Sequence, residues 1–180
     1  MKKMLLLLLI CAIIFASACA PAMQAEPSQA EEAQLSSSNE EFEITLYTDK
    51  GIYVQDEAIE CYAELKYLGS DAITVYSGNP LLGFGVKDEK YFDGGYVTND
   101  SLEYTQFAPG ETVRVAFSKS GGDTSDDPLG EVFKEYYADS EFVLPSGEYE
   151  ISANIDYSLD VDDMLGSRRT LSVSVTVTVE

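Results

Sequence analysis

The chain has 180 residues, with 11 Lys and Arg against 32 Asp and Glu, a formal charge of −21, no His, no Trp and 3 Cys. Its length suits one domain with accessory segments. Without His there is no Ser-His-Asp or Cys-His nucleophile and no zinc site built on imidazole, and this much negative charge repels a phosphate backbone, which excludes nucleic acid as a partner.

Lys2 and Lys3 precede an unbroken apolar run over residues 4–16, shorter than a comfortable membrane span and typical of an export signal. The run leads into Ala16-Ser17-Ala18-Cys19, which resembles the lipobox of bacterial lipoproteins. That resemblance implies a signal peptide over residues 1–18, a diacylglyceryl group on Cys19 and a further acyl chain, such as palmitate, on the new amine. The other reading is an ordinary secretory signal cut after the same Ala-x-Ala tripeptide. Cys11 follows Leu9 and Ile10, which are not small, so Cys19 is the expected lipidation site. Two acyl chains hold a protein stably on a membrane where one does not. Cleavage removes two Lys and no acid, taking the formal charge from −21 to −23, so the lipid rather than surface charge must do the holding. The expected location is the outer face of the bacterial cell membrane.

Residues 20–41 are rich in Ala, Ser, Glu, Gln and Pro and offer almost nothing to bury. The stretch 19–41 is therefore expected to be a lipidated cysteine and a flexible tether, at most with a short helix over 31–35. From residue 42 onward the hydrophobic period is two. Strands are predicted at 42–47, 59–67, 72–77, 81–86, 102–107, 112–118, 148–157 and 170–179. The last is the clearest, with Leu171, Val173, Val175, Val177 and Val179 all on one face. Turn residues punctuate the strands at Asp49-Lys50-Gly51, Leu68-Gly69-Ser70-Asp71, Ser77-Gly78-Asn79-Pro80, Asp93-Gly94-Gly95, Ala108-Pro109-Gly110 and Pro145-Ser146-Gly147, each read as a reversal. The fold class expected over 42–180 is all-β, an immunoglobulin-like β-sandwich of seven or eight strands, with a closed barrel as the alternative. Residues 119–140 interrupt the pattern. They are acidic and glycine-bearing at first, and then carry Phe133, Tyr136 and Tyr137 at helical spacing, which predicts a short helix capping the sandwich.

Three motifs resemble known families. Leu144-Pro145-Ser146-Gly147-Glu148-Tyr149-Glu150-Ile151 resembles the start of strand F in immunoglobulin-like domains. The resemblance puts Ile151 in place of one inter-sheet cysteine, with Cys61 where its partner would be, so Cys61 is expected as a buried, inert thiol. Residues 48–59 look like the opening of macroglobulin-type domains, T-D-K-x-x-Y-x-P-G-E-x-V, with Gln55-Asp56 in place of Pro-Gly. The series Cys61 to Ser77, Phe107-Ala108-Pro109-Gly110-Glu111 and Leu144 to Tyr149 is similar to the bacterial intracellular proteinase inhibitor family, BsuPI-like. It implies fold more than inhibition and carries over no inhibitory residue.

Two acidic clusters, Asp123, Asp126 and Asp127 and then Asp160, Asp162 and Asp163, are candidate calcium ligands, although neither has EF-hand spacing and a solvated loop is the default for each. No cofactor is expected. The candidate protein-contact residues are Tyr91, Phe92 and Tyr96 around the Asp93-Gly94-Gly95 turn, and Phe133, Tyr136 and Tyr137 on the insertion. Aromatics near loops supply contact area at small entropic cost, and the competing role for them is completion of the core. The expected function is non-enzymatic protein binding by a membrane-anchored domain, with an unknown protein partner. Proteinase inhibition through residues 119–140 or 91–96 is the alternative, and a small carboxylate enzyme is a third reading.

Overall fold

The computed structural model describes residues 33–121 and 130–180. Nine strands and one helix occur among them: β1 (Ala33–Ser38), β2 (Phe42–Thr48), β3 (Ile52–Tyr53), β4 (Cys61–Tyr67), β5 (Ile73–Lys87), β6 (Asn99–Phe107), β7 (Thr112–Ala116), α1 (Gly130–Ala138), β8 (Gly147–Ser158) and β9 (Arg168–Val179). They form two sheets, ordered β1-β2-β4-β7 and β3-β9-β8-β5-β6. Taking β2, β4 and β7 as strands A, B and E, and β5, β6, β8 and β9 as C, C′, F and G, this is the order of an immunoglobulin-like sandwich. All pairings are antiparallel except that of β3 with β9.

The period-two pattern places the core where it was expected. Ile44 and Leu46, Ala63 and Leu65, Ile151, Ala153 and Ile155, and Val173, Val175 and Val177 point inward from strands of both sheets and are buried. Phe42 meets Phe107 and Tyr157 edge-to-face across this space, at 5.0 and 5.2 Å between ring centroids. Cys61 and Ile151 enter the same core from opposite sheets.

The structure corrects the sequence reading in three places. The folded unit starts before residue 42. Residues 33–38 form an edge strand paired along its whole length with β2, so this part of the 19–41 stretch is neither tether nor helix. It has no fully buried side chain, and even Leu35 is exposed, which is why no hydrophobic pattern marks it. The turn after it is held by Asn39, whose Oδ1 accepts the N–H groups of Glu41 and Phe42 at 3.0 and 2.8 Å and whose Nδ2 donates to Tyr157 on the other sheet at 3.0 Å. Second, Ser77-Gly78-Asn79-Pro80 does not reverse the chain. The predicted strands at 72–77 and 81–86 are one strand, β5, whose register shifts between Ser77 and Leu82. Third, the strand count is nine rather than seven or eight, because β1 and the two-residue β3 join the sheets while those two predicted strands merge. The predicted helix is present as α1.

The family-like motifs are spent on turns. Tyr149 Oη donates to the carbonyl of Pro145 at 2.8 Å, a tyrosine corner at the start of β8. In Ala108-Pro109-Gly110-Glu111, Gly110 has φ +72° and the Glu111 carboxylate accepts the Ala108 N–H at 2.8 Å. In the segment 48–59, Tyr53 Oη donates to Asp49 at 2.7 Å, Lys50 pairs with Glu57, and the Glu57 carboxylate accepts the Val54 N–H at 3.0 Å.

Candidate aromatic cleft

The site is built on the far half of β5. From Leu82 to Lys87 this strand pairs with β8 on one side, while β6 covers its other side only as far as Asn79. The chain after Lys87 folds back over the uncovered part. Asp88 starts the return, its Oδ1 accepting the N–H groups of Lys90, Tyr91 and Phe92 at 3.0, 2.6 and 2.7 Å, and Asp93 then bridges to Lys87. Two glycines allow this close approach. A Cβ on Gly85 would lie 2.0 Å from the Gly94 carbonyl oxygen, and one on Gly83 would lie 2.3 Å from the ring of Tyr96. The Leu82-Gly83-Phe84-Gly85-Val86 alternation is thus the sequence signal for a segment lying on one face of β5.

The insertion completes the site. Phe117 follows β7 and stacks on Phe142 at 3.7 Å, and its ring lies 5.2 Å from that of Phe84. Lys119 donates to the carbonyls of Tyr136, Asp139 and Glu141, satisfying acceptors at the end of a helix that has no basic residue in its last turn. Partial desolvation lowers the Lys119 pKa, an effect opposed by the charge of Asp139. Tyr137 Oη donates to the Ser120 carbonyl at 2.7 Å, and Ser120 Oγ accepts the Val97 N–H. The helix, the 117–121 segment and the 88–98 loop are therefore tied to one another.

Between them lies a cleft of about 440 Å³. Tyr91, Phe92, Tyr96, Tyr136 and Tyr137 all line it, together with Phe84, Phe117, Asp93 and Ser120. Of the six aromatic candidates from the sequence, the structure thus brings five together, and the side chain of Phe133 lies outside the described residues. Their roles differ from the expectation, however. Phe92 and Tyr136 are buried core residues and not an exposed contact surface, because Phe92 packs edge-to-face on Tyr136 at 5.1 Å and on Tyr149 at 5.9 Å. Tyr91, Tyr96 and Tyr137 are half-buried. Burial raises the pKa of Tyr136 and Tyr96, so both stay protonated at ordinary pH. Among the described residues, Asp93 is the carboxylate that lines the cleft.

The acidic candidates separate. Asp123, Asp126 and Asp127 lie outside the described residues. Asp160 and Asp163 serve the β8–β9 loop: their carboxylates accept the N–H groups of Asp162 and Gly166 at 2.9 and 3.0 Å, and Ser167 Oγ donates to the Asp163 carbonyl at 2.8 Å. Asp162 is exposed. Among the described residues no group of three or more acidic or cysteine side chains is placed to hold a metal ion. The sequence reading missed Lys119, Ser120, Phe117 and the place of Asp93 in the cleft wall, since each depends on which loop lies beside which. No protein-family model matches the chain, and no curated protein matches it.

Proposed function

We propose that this is a lipid-anchored protein of the outer face of a bacterial membrane, whose sandwich binds another protein without catalysing a reaction. The observation that carries the binding part is the convergence of Tyr91, Tyr96 and Tyr137, each half-buried, on one cleft whose walls are tied by hydrogen bonds and core packing. Such rings present contact area with little rotamer entropy left to lose on binding. The anchoring part rests on the small-residue tripeptide before Cys19. Anchoring is tested by Cys19→Ala in the native bacterium, which should abolish incorporation of a labelled fatty acid and release the protein from membranes; full membrane retention of the unlabelled variant would sink it. Binding is tested by a photo-crosslinking amino acid placed at Tyr91 and, as a control, at the exposed Thr170 of β9. A discrete adduct with a second protein is expected from position 91 alone. Equal adducts from both positions, or none from 91, would refute cleft-mediated binding. An adduct with a protease that loses activity would turn the reading to inhibition.

A further inference from the structure

The cleft has a charge character as well as a shape. Among the described residues that line it, seven of thirteen are aromatic, none is Lys or Arg, and Asp93 is the charged one. Asp93 Oδ1 accepts the Gly95 N–H at 3.0 Å, but no ammonium or guanidinium lies within 4.0 Å of its carboxylate among the described residues, where the ion pairs are Lys50–Glu57 and Arg168–Asp156. The rings meet at steep angles, Phe92 on Tyr136 at 70° and Tyr136 on Tyr137 at 73°, so they offer walls in several orientations. Aromatic faces carry negative potential and attract cations. Rings of this group already do so: Lys90 lies 4.2 Å over the Tyr91 ring and Lys119 lies 4.5 Å over that of Tyr136, yet neither lysine lines the cleft. The −21 charge of the chain adds a field that draws cations toward the molecule.

We infer that the cleft is a receptor for an organic cation, with the rings of Tyr91, Tyr96 and Tyr137 as walls and Asp93 as counter-ion. This deepens the protein-binding reading and rests on it for the source of the cation, a Lys or Arg side chain of the partner. A free quaternary ammonium such as choline shares the chemistry and is distinguished by experiment.

The test uses the full-length protein in maltoside micelles, whose head groups carry no ammonium, and follows aromatic NMR shifts. The probes are a short peptide containing Lys, the same peptide with norleucine, choline, and its uncharged isostere 3,3-dimethylbutanol. The Lys peptide should bind about tenfold more tightly than the norleucine peptide and more tightly than choline. Asp93→Asn keeps the acceptor for Gly95 and should cost about tenfold in Lys-peptide affinity. Tyr91→Leu should cost about fivefold. Tyr104→Leu, on the exposed side of β6 and outside the cleft, should change nothing. Equal binding of the Lys and norleucine peptides, or full affinity in Asp93→Asn, would overturn the cation site even if crosslinking at Tyr91 succeeds. Binding of choline in preference to the Lys peptide would overturn the partner side chain as the source. A Lys preference with no crosslinked protein would sustain the cation site while the protein-binding reading fails.

Discussion

Asp56 shows how much a single backbone angle can explain. Its φ is +64°, in the left-handed region, and it occupies the position where the macroglobulin-type motif has Gly. A side chain there meets its own backbone, a cost that Asp tolerates better than most residues and Gly does not incur. Against this, Gly loses more freedom on folding. Asp56→Gly should therefore stabilise the domain modestly, by about 0.5–1 kcal/mol, in chemical denaturation; a loss of stability would mean that the carboxylate has a stabilising role. Cys61 is a second case. Burial pushes its thiol from 9.0 up to about 12, with the nearby Asp49 charge adding to the effect. Its role is to fill space in the core.

At the scale of elements, the cleft depends on two glycines and the domain on a strand without hydrophobic pattern. In Gly85→Ala the new Cβ meets backbone, the Gly94 carbonyl, which cannot rotate away as a side chain could. Overpacking of this kind costs about 1–3 kcal/mol, and the 88–98 loop should move off β5. The substitution should thus shift the NMR signals of Tyr91 and Tyr96 while leaving those of β2 and β4 in place; an undisturbed loop would show that it does not need the close approach. β1 makes the opposite point. It gives β2 a neighbour, and its Ser36 hydroxyl shares a 2.8 Å hydrogen bond with that of the buried Thr45. A chain trimmed to begin at Asn39 should be less stable than one beginning at Ala33 by about 1–3 kcal/mol, and more prone to self-association through the bared edge of β2. Equal stability of the two would remove β1 from the folded unit.

For the whole molecule, the buried acids of high pKa set the alkaline limit. Burial is the main cause in each case: Cys61 and Tyr149 are both pushed up to about 12, from 9.0 and 10.0, and Tyr53, Tyr136 and Tyr157 are raised as well. Each is neutral when protonated, so above its ordinary pKa the unfolded chain releases a proton that the folded chain keeps. The unfolded state then binds fewer protons, and stability falls as pH rises. For Cys61 the stabilisation is intact below pH 9 and declines between 9 and about 12, at up to about 1.4 kcal/mol per pH unit. Denaturant unfolding measured from pH 7 to 11 should show this decline, and Cys61→Val should delay its onset toward pH 10, where the tyrosines take over. A wild-type profile flat to pH 11 would contradict the buried placement of these groups.

What the sequence determined by itself was whatever repeats locally. Alternation over 42–47, 148–157 and 170–179 fixes which side chains are buried, because a strand exposes its two faces to different surroundings. The spacing of Phe133, Tyr136 and Tyr137 marks α1, and the three turn motifs mark where the chain bends, since each is closed by a side-chain hydrogen bond that spans three or four residues. The tertiary structure decided what local rules leave open. Residues 33–38, four of them polar, lie on an exposed edge and become a strand only because β2 offers them hydrogen-bond partners. Ser77-Gly78-Asn79-Pro80 has turn composition, yet β6 and β8 pair on either side of it and carry β5 onward. The aromatic candidates were legible as a group near two loops. Their division into buried Phe92 and Tyr136 and half-buried Tyr91, Tyr96 and Tyr137 was not, because it follows from the contact of the 88–98 loop with α1 across more than thirty residues of sequence, and no local pattern encodes a contact at that separation.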